Sequence, residues 1–233
     1  MLDELERITR LLSTSSGTDK CLMLIQYVAL LLSKISARGH KFSSSRRLSQ
    51  RFGALSGLVS ETRTTIRLLD LFSLLQWWRS LKPSGHSFKS RILDLERMEV
   101  ISMLVFYPLE HIYFLTTKKI LPCSPRVALK AALYSCRAWA VYTFLHLGRL
   151  WHSYQELQQE QIQQEQQGSE KQAKIKFEAR RAALINGLTV NLAYLPLTLH
   201  WSLEKGLYSS EYITAFCGLF AAVTQLRVAW KAS

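Results

Sequence analysis

Glycine and proline are scarce, ten and five in 233 residues. That is roughly half their usual share, and it removes the turns that all-β sandwiches and barrels need. Collagen-like and linker-like chains are excluded with them. Cysteine is sparse too. Cys21, Cys123, Cys136 and Cys217 are scattered and form no C-x-x-C pair, so neither a disulfide framework nor a zinc ribbon is expected. Each reads as a small buried apolar residue in a reducing compartment. The motifs of common chemistry are also missing: no Walker A loop, G-x-G-x-x-G, G-x-S-x-G or H-E-x-x-H occurs, and the six histidines form no close ligand cluster. Glu110 beside His111 comes nearest to an acid–base pair, yet neighbours on a helix diverge by about 100°, which suits separate hydrogen bonds better than joint catalysis. No catalytic residue, metal ligand or cofactor is therefore expected, and the chain reads as a non-enzyme.

Acidic residues are the minority charge, 17 against 30 Lys and Arg, for a net charge of +13. Such a balance suits nucleic acid or an anionic membrane surface. The basic residues are diffuse and no RNP-like, helix-turn-helix or zinc-finger pattern accompanies them, so nucleic acid is not the expected partner. The chain opens with Asp3, Glu4 and Glu6 rather than a basic presequence, and it closes on Lys231, Ala232 and Ser233 rather than S-K-L, so an organelle address is expected to be internal.

What is present is apolar and helical in pattern, with 48% apolar residues, enough for a core. Leu2, Leu5, Ile8, Leu11 and Leu12 keep a helical period that Ser13 to Gly17 interrupts. Thr18 or Asp19 is the expected cap of the next helix, whose apolar run from Cys21 to Leu32 is too short to cross a bilayer. From Lys20 to Ser60 stand seven basic residues, Lys20, Lys34, Arg38, Lys41, Arg46, Arg47 and Arg51, and no acidic one. Each basic residue held at an anionic lipid surface contributes about 1 kcal/mol.

The stretch Glu61 to Lys82 is expected to be one amphipathic helix. Ile66, Leu68, Leu69, Leu71, Phe72, Leu74, Leu75, Trp77 and Trp78 form a wide apolar face, and Arg63, Arg67, Asp70, Ser73 and Gln76 a narrow polar stripe. This pattern fits a membrane interface, with tryptophans at headgroup depth, and equally the core of a bundle. For the first case the lipid contacts are Arg46, Arg47, Arg51, Arg63, Ile66, Arg67, Leu68, Leu71, Phe72, Leu75 and Trp78. Pro83, Ser84 and Gly85 end the helix, and a second block starts near Ser87. It contains the apolar stretch Val100 to Leu109, where Pro108 would kink a helix. A further helix begins near Pro125. Its apolar part, Ala131 to Leu147, carries Arg137, which costs at least about 2.5 kcal/mol in hydrocarbon and favours a buried or interfacial position.

Trp151 to Arg181 is rich in Gln, Glu and then Lys and Arg, the mark of a linker or an exposed helix. Ala183 to Leu203 has 21 residues without a charge, about 31 Å of helix, enough to cross a bilayer core. Tyr212 to Trp230 forms a second such segment, with Arg227 placed to snorkel. The pair reads as a hairpin with both outer ends basic, which puts both on the cytosolic side. Gly218 with Ala222, and Gly53 with Gly57, fit small-xxx-small helix contacts. Four regions follow: 1–82, basic and amphipathic; 83–148, helical and a candidate for membrane embedding; 149–182, the Gln/Glu/Lys-rich linker or exposed helix; and 183–233, the hydrophobic hairpin. The expected class is all-α, a membrane-associated helical protein with N-terminal amphipathic helices.

Four stretches, in order, resemble the peroxin-11 family of peroxisomal membrane proteins. They are Gly17 to Leu32 (GTDKCLMLIQYVALLL), the basic run Ser43 to Leu48 (SSSRRL), Tyr107 to Leu115 (YPLEHIYFL), and Asn191 to Leu203 (NLAYLPLTLHWSL). The Gln-rich insert and Tyr194, where many relatives have Asp, depart from the pattern and point to a divergent member of fungal type. The resemblance implies residence in the peroxisomal membrane and, for residues 1–82, membrane remodelling: an amphipathic helix inserts into one leaflet, curves it and promotes elongation and fission of the organelle. It implies as partners an anionic phospholipid membrane, further copies or family paralogues, a fission dynamin with its membrane adaptor, and the import receptor for peroxisomal membrane proteins. A channel or metabolite-permeability role is the alternative, for which Asn186, Asn191, Thr198 and His200 supply polar groups within an apolar segment.

Overall fold

A computed structural model of the chain describes residues 2–38, 43–81, 88–166 and 171–232. Among them every regular element is an α-helix. Lys41, Lys82, Pro83, Ser84, Gly85, Ser87, Gly168 and Ser169 lie outside the described residues.

Helix α1 (Leu2–Leu12) has Asp3 and Glu4 in its first turn and Arg10 in its last, both favourable to the helix dipole. Helix α2 (Ser15–Arg38) starts earlier than its apolar run does. Its cap is Thr14, whose hydroxyl oxygen accepts the Gly17 N–H at 3.0 Å; neither Thr18 nor Asp19 serves. Extended at both ends, α2 has 24 residues and is long and apolar enough to span a membrane. This corrects the expectation drawn from Cys21 to Leu32 alone. The polar ends Asp19, Lys20, Lys34 and Arg38 lengthen the helix without adding to the apolar run that was counted.

Helix α3 (Ser43–Arg67) runs back along α2, and α4 (Asp70–Ser80) follows after Leu68 and Leu69. The expected single helix from Glu61 is thus broken. Leu68, Leu69 and Phe72 donate to the carbonyls of Thr65, Ile66 and Leu69, the three-residue spacing that tightens a helix end. Helix α5 (Phe88–Thr117) continues through Pro108. Helix α6 (Pro125–Gln166) begins at the predicted proline and extends to the Gln-rich segment; α7 (Lys171–Ser202) and α8 (Glu211–Ala232) form the C-terminal hairpin. Residues Trp151 to Arg181 therefore lie on the end of α6 and the start of α7.

Neighbouring contacts run in the order α3, α2, α8, α7, α6, α5, with α4 on α5 and α1 on α2 and α8. The core sits where α2, α7 and α8 meet, at Met23, Tyr27, Ala193, Leu197, Ala221 and Ala222. Small residues let α8 approach α2. A Cβ added at Gly218 would lie 2.1 Å from the Tyr27 ring, whereas one at Gly57 would meet nothing within 4 Å. The Gly218 contact is therefore made within the chain. Both chain ends lie at one end of the bundle, since an Arg7 Nη donates to the Trp230 carbonyl at 3.1 Å.

The apolar exterior is extensive. Helices α2 and α8 and parts of α5 (Asp94–Thr117) and α7 (Lys174–Ser202) are long and apolar enough to cross a membrane, yet the protein itself buries only 17–28% of their apolar windows. Large side chains such as Leu129 (67% exposed) and Phe216 (59%) point outward. Contiguous apolar surface of this kind marks contact with lipid or another protein.

Candidate functional site

The site is built where the end of α3 and all of α4 meet α5. Arg63 and Arg67 sit one turn apart on α3 and face inward. The Arg63 guanidinium donates to both Asp19 carboxylate oxygens, at 2.8 and 3.2 Å, and to the Gln26 amide oxygen at 2.8 Å. Arg67 donates to both Glu110 oxygens at 3.1 and 2.7 Å. Paired bidentate forks of this geometry are among the strongest charge-assisted hydrogen bonds. Burial opposes the charge on Arg67, but the Glu110 carboxylate outweighs it and raises the guanidinium pKa. Burial likewise raises the Asp70 carboxyl pKa, against the pull of Arg67 and a hydrogen bond from Tyr107.

Gln26, Arg63, Arg67 and Glu110 line a cavity of about 360 Å³ together with aromatic side chains, among them Tyr27, Phe106, Tyr107, Trp139, Tyr194 and Trp201. Trp139 stacks on Trp201 at 5.8 Å and meets Tyr194 edge-on at 5.5 Å. The Tyr194 hydroxyl accepts from the Gln225 amide at 2.9 Å. Tyr194 thus belongs to the packing of α7 on α8 and α6. Glu110 makes the expected hydrogen bonds, but His111 does not: its ring packs 6.1 Å from the Tyr107 ring and its Nε2 is buried without a hydrogen-bond partner among the described residues.

The outer side of the same helices is apolar. Leu58 (63% exposed) on α3 and Leu69 (69%), Phe72 (70%), Leu75 (44%) and Trp78 (43%) at and after the turn point away from the bundle. Ile66, Leu68 and Leu71 are half-buried. Trp77 turns inward and donates its indole N–H to Glu96 on α5 at 2.9 Å. Arg46, Arg47 and Arg51 are exposed near the start of α3, which at 1.5 Å per residue is about 22 to 30 Å along the helix from Ile66.

The structure therefore sorts the eleven predicted lipid contacts into three sets. Phe72, Leu75 and Trp78 share an outward face, with Ile66, Leu68 and Leu71 half-buried beside it; Arg46, Arg47 and Arg51 form a separate basic group; Arg63 and Arg67 hold carboxylates inside. The partners Asp19, Gln26 and Glu110 escaped the sequence reading as site residues. For Gln26 and Glu110 the one visible signal was a single polar residue within an apolar run, which a buried cation explains; Asp19 was expected only as a helix cap. The polar residues of α7 are also accounted for locally. Asn191 and Thr198 donate to the carbonyls of Gly187 and Leu195, and His200 Nδ1 accepts the N–H groups of Leu207 and Tyr208 after the turn at Gly206.

No solved structure matches the chain. An uncharacterized protein of Schizosaccharomyces pombe, C1F12.04c, is 26% identical over 217 residues, covering 93% of this chain and 90% of that protein. The family model described as peroxisomal biogenesis factor 11 matches residues 5–230. With the apolar helices and the outward face of α4 in view, that match closes the question of family: the chain belongs to the peroxisomal biogenesis factor 11 family, as a membrane protein of the peroxisome that serves the organelle's biogenesis.

Proposed function

We propose that the protein curves and elongates the peroxisomal membrane through α4 and the preceding turn, and so promotes proliferation and fission of the organelle. The observation that carries this reading is the two-sidedness of the segment. Leu69, Phe72, Leu75 and Trp78 face outward, while Arg67 and Trp77 tie its inner side to Glu110 and Glu96 of α5. An apolar face inserted unequally into the two leaflets expands one of them relative to the other, and many copies acting together bend the sheet. Self-association, the fission dynamin with its adaptor, and the import receptor belong to this proposal, as does a cytosolic position for the two chain ends. Arg46, Arg47 and Arg51 then meet anionic headgroups at a distance from the wedge.

The test is Phe72→Glu in the full chain, imaged beside a peroxisomal marker. The expected result is correct location with organelles of ordinary length, where the overproduced parent elongates them. Unchanged elongation by the variant rejects the wedge. The permeability reading draws its support from the cavity that contains Arg63, Arg67 and Glu110 among apolar helices. Planar-bilayer recordings of the purified protein without conductance count against it.

A further inference from the structure

A second apolar recess lies at the opposite side of α2 from the ion-pair cavity. It is a groove of about 520 Å³ between α1, α2 and α8, floored by Ile8, Leu11, Leu24, Val223 and Leu226 and bordered by Arg227 and Lys231. Its walls are held by contacts already in place. The Arg7 guanidinium lies over the Trp230 ring at 5.0 Å, and the turn between α1 and α2 is tight enough that a Cβ on Gly17 would lie 2.0 Å from the Leu11 carbonyl oxygen.

Three observations identify an occupant. First, α2 and α8 are two of the helices long and apolar enough to span, so the groove opens toward hydrocarbon along their length. Second, Arg227 and Lys231 are exposed in the last turns of α8, the depth at which a spanning helix meets headgroups. Neither is in an ion pair among the described residues. The carboxylate of Glu6 faces a different depression, with Leu5, Thr9 and Arg10. Third, the groove runs from Lys231 to Val223, about 12 Å along the helix, from a cationic rim to a purely apolar floor. An anionic head above an alkyl chain has this polarity; a partner helix with apolar side chains along its whole length does not use the rim.

We propose that the groove holds one acyl chain of an anionic phospholipid from the surrounding bilayer, with its phosphate at Arg227 and Lys231. This site is separate from the α4 face and does not depend on membrane curvature.

The full chain, purified in detergent and equilibrated with equal amounts of phosphatidylinositol and phosphatidylcholine, is read by native mass spectrometry. The parent is expected to retain phosphatidylinositol in preference. The double variant Arg227→Gln with Lys231→Gln is expected to lose that preference by about tenfold or more while keeping its helix content. Ile8→Glu, on an exposed wall of the groove, is expected to lose retention too, and Phe72→Glu to keep it. Equal retention of the two lipids by the parent, or unchanged preference in the double variant, overturns the proposal. So does a bismaleimide-linked dimer through Cys21, which lines the groove, since a second copy would then be seated there.

Discussion

A single carboxylate decides how the end of α3 is seated. Glu110 has a side chain 15% exposed, and its Arg67 partner is 25% exposed, so neither is compensated by bulk water. Removing one partner of a buried pair leaves the other charge unmatched. Arg67→Gln is therefore expected to lower the stability of the detergent-solubilised protein by about 3 kcal/mol, whereas Arg67→Gln with Glu110→Gln recovers most of it. A double-mutant cycle from unfolding midpoints measures the coupling. Gly17 is decisive for a different reason. Alanine there cannot keep the Leu11 carbonyl at its present distance, so Gly17→Ala is expected to displace α1 and raise proteolysis between α1 and α2. The G-x-D-K stretch was legible as a motif, and its physics follows from the fold: Gly17 for the close turn, Asp19 for Arg63. No local pattern names Arg63 as the partner, because the pair joins positions 44 residues apart.

Among the elements, α8 depends on a flat contact with α2 and α3 does not depend on its glycines to the same degree. Gly218→Ala forces methyl against the buried Tyr27 ring. Overpacking of this sort costs about 1–3 kcal/mol, and thermal unfolding should show it. Gly57→Ala enters open space on a helix and is expected to be neutral or to stabilise by about 0.5–1 kcal/mol. If both glycines behaved alike, the Gly218 contact would not be the one that positions α8. Helix existence was readable from periodicity and from Pro125, because long apolar repeats leave few alternatives. The break at Leu68 and Leu69 was not readable. Neither residue disfavours helix, and the turn arises where Arg67 is drawn to α5 and Asp70 opens the first turn of α4.

Over the whole of the described molecule, an apolar core holds a few buried polar groups, and large apolar side chains also cover much of the exterior. Glu99, fully buried, is held by Arg149 at 2.7 Å and by His146 at 3.1 Å, while leucines and phenylalanines cover the exterior. Such a surface, on helices long and apolar enough to span, fits lipid. Alkaline carbonate is expected to leave the protein in the membrane pellet, and its release would contradict four apolar helices seated in hydrocarbon. The all-α class and the C-terminal hairpin were legible from composition and from two long apolar segments, one uncharged and one charged only at Arg227. The span-class length of α2 was not, since its charged ends interrupt the run that hydropathy counts.

Helix α6 has 42 residues, about 63 Å end to end, roughly twice the hydrocarbon thickness of a bilayer. Arg149 sits level with Glu99 of α5, which places Tyr154 level with Asp94, where the apolar part of α5 begins. With the apolar part of α5 in hydrocarbon, the twelve residues from Gln155 to Gln166 are expected to rise about 18 Å past its edge, beside α7, whose Arg180 donates to Glu160. A rod of that height acts as a spacer. A flat surface brought against the end of α6 is expected to be held about two nanometres off the bilayer, a floor on how closely two such membranes can be pressed together.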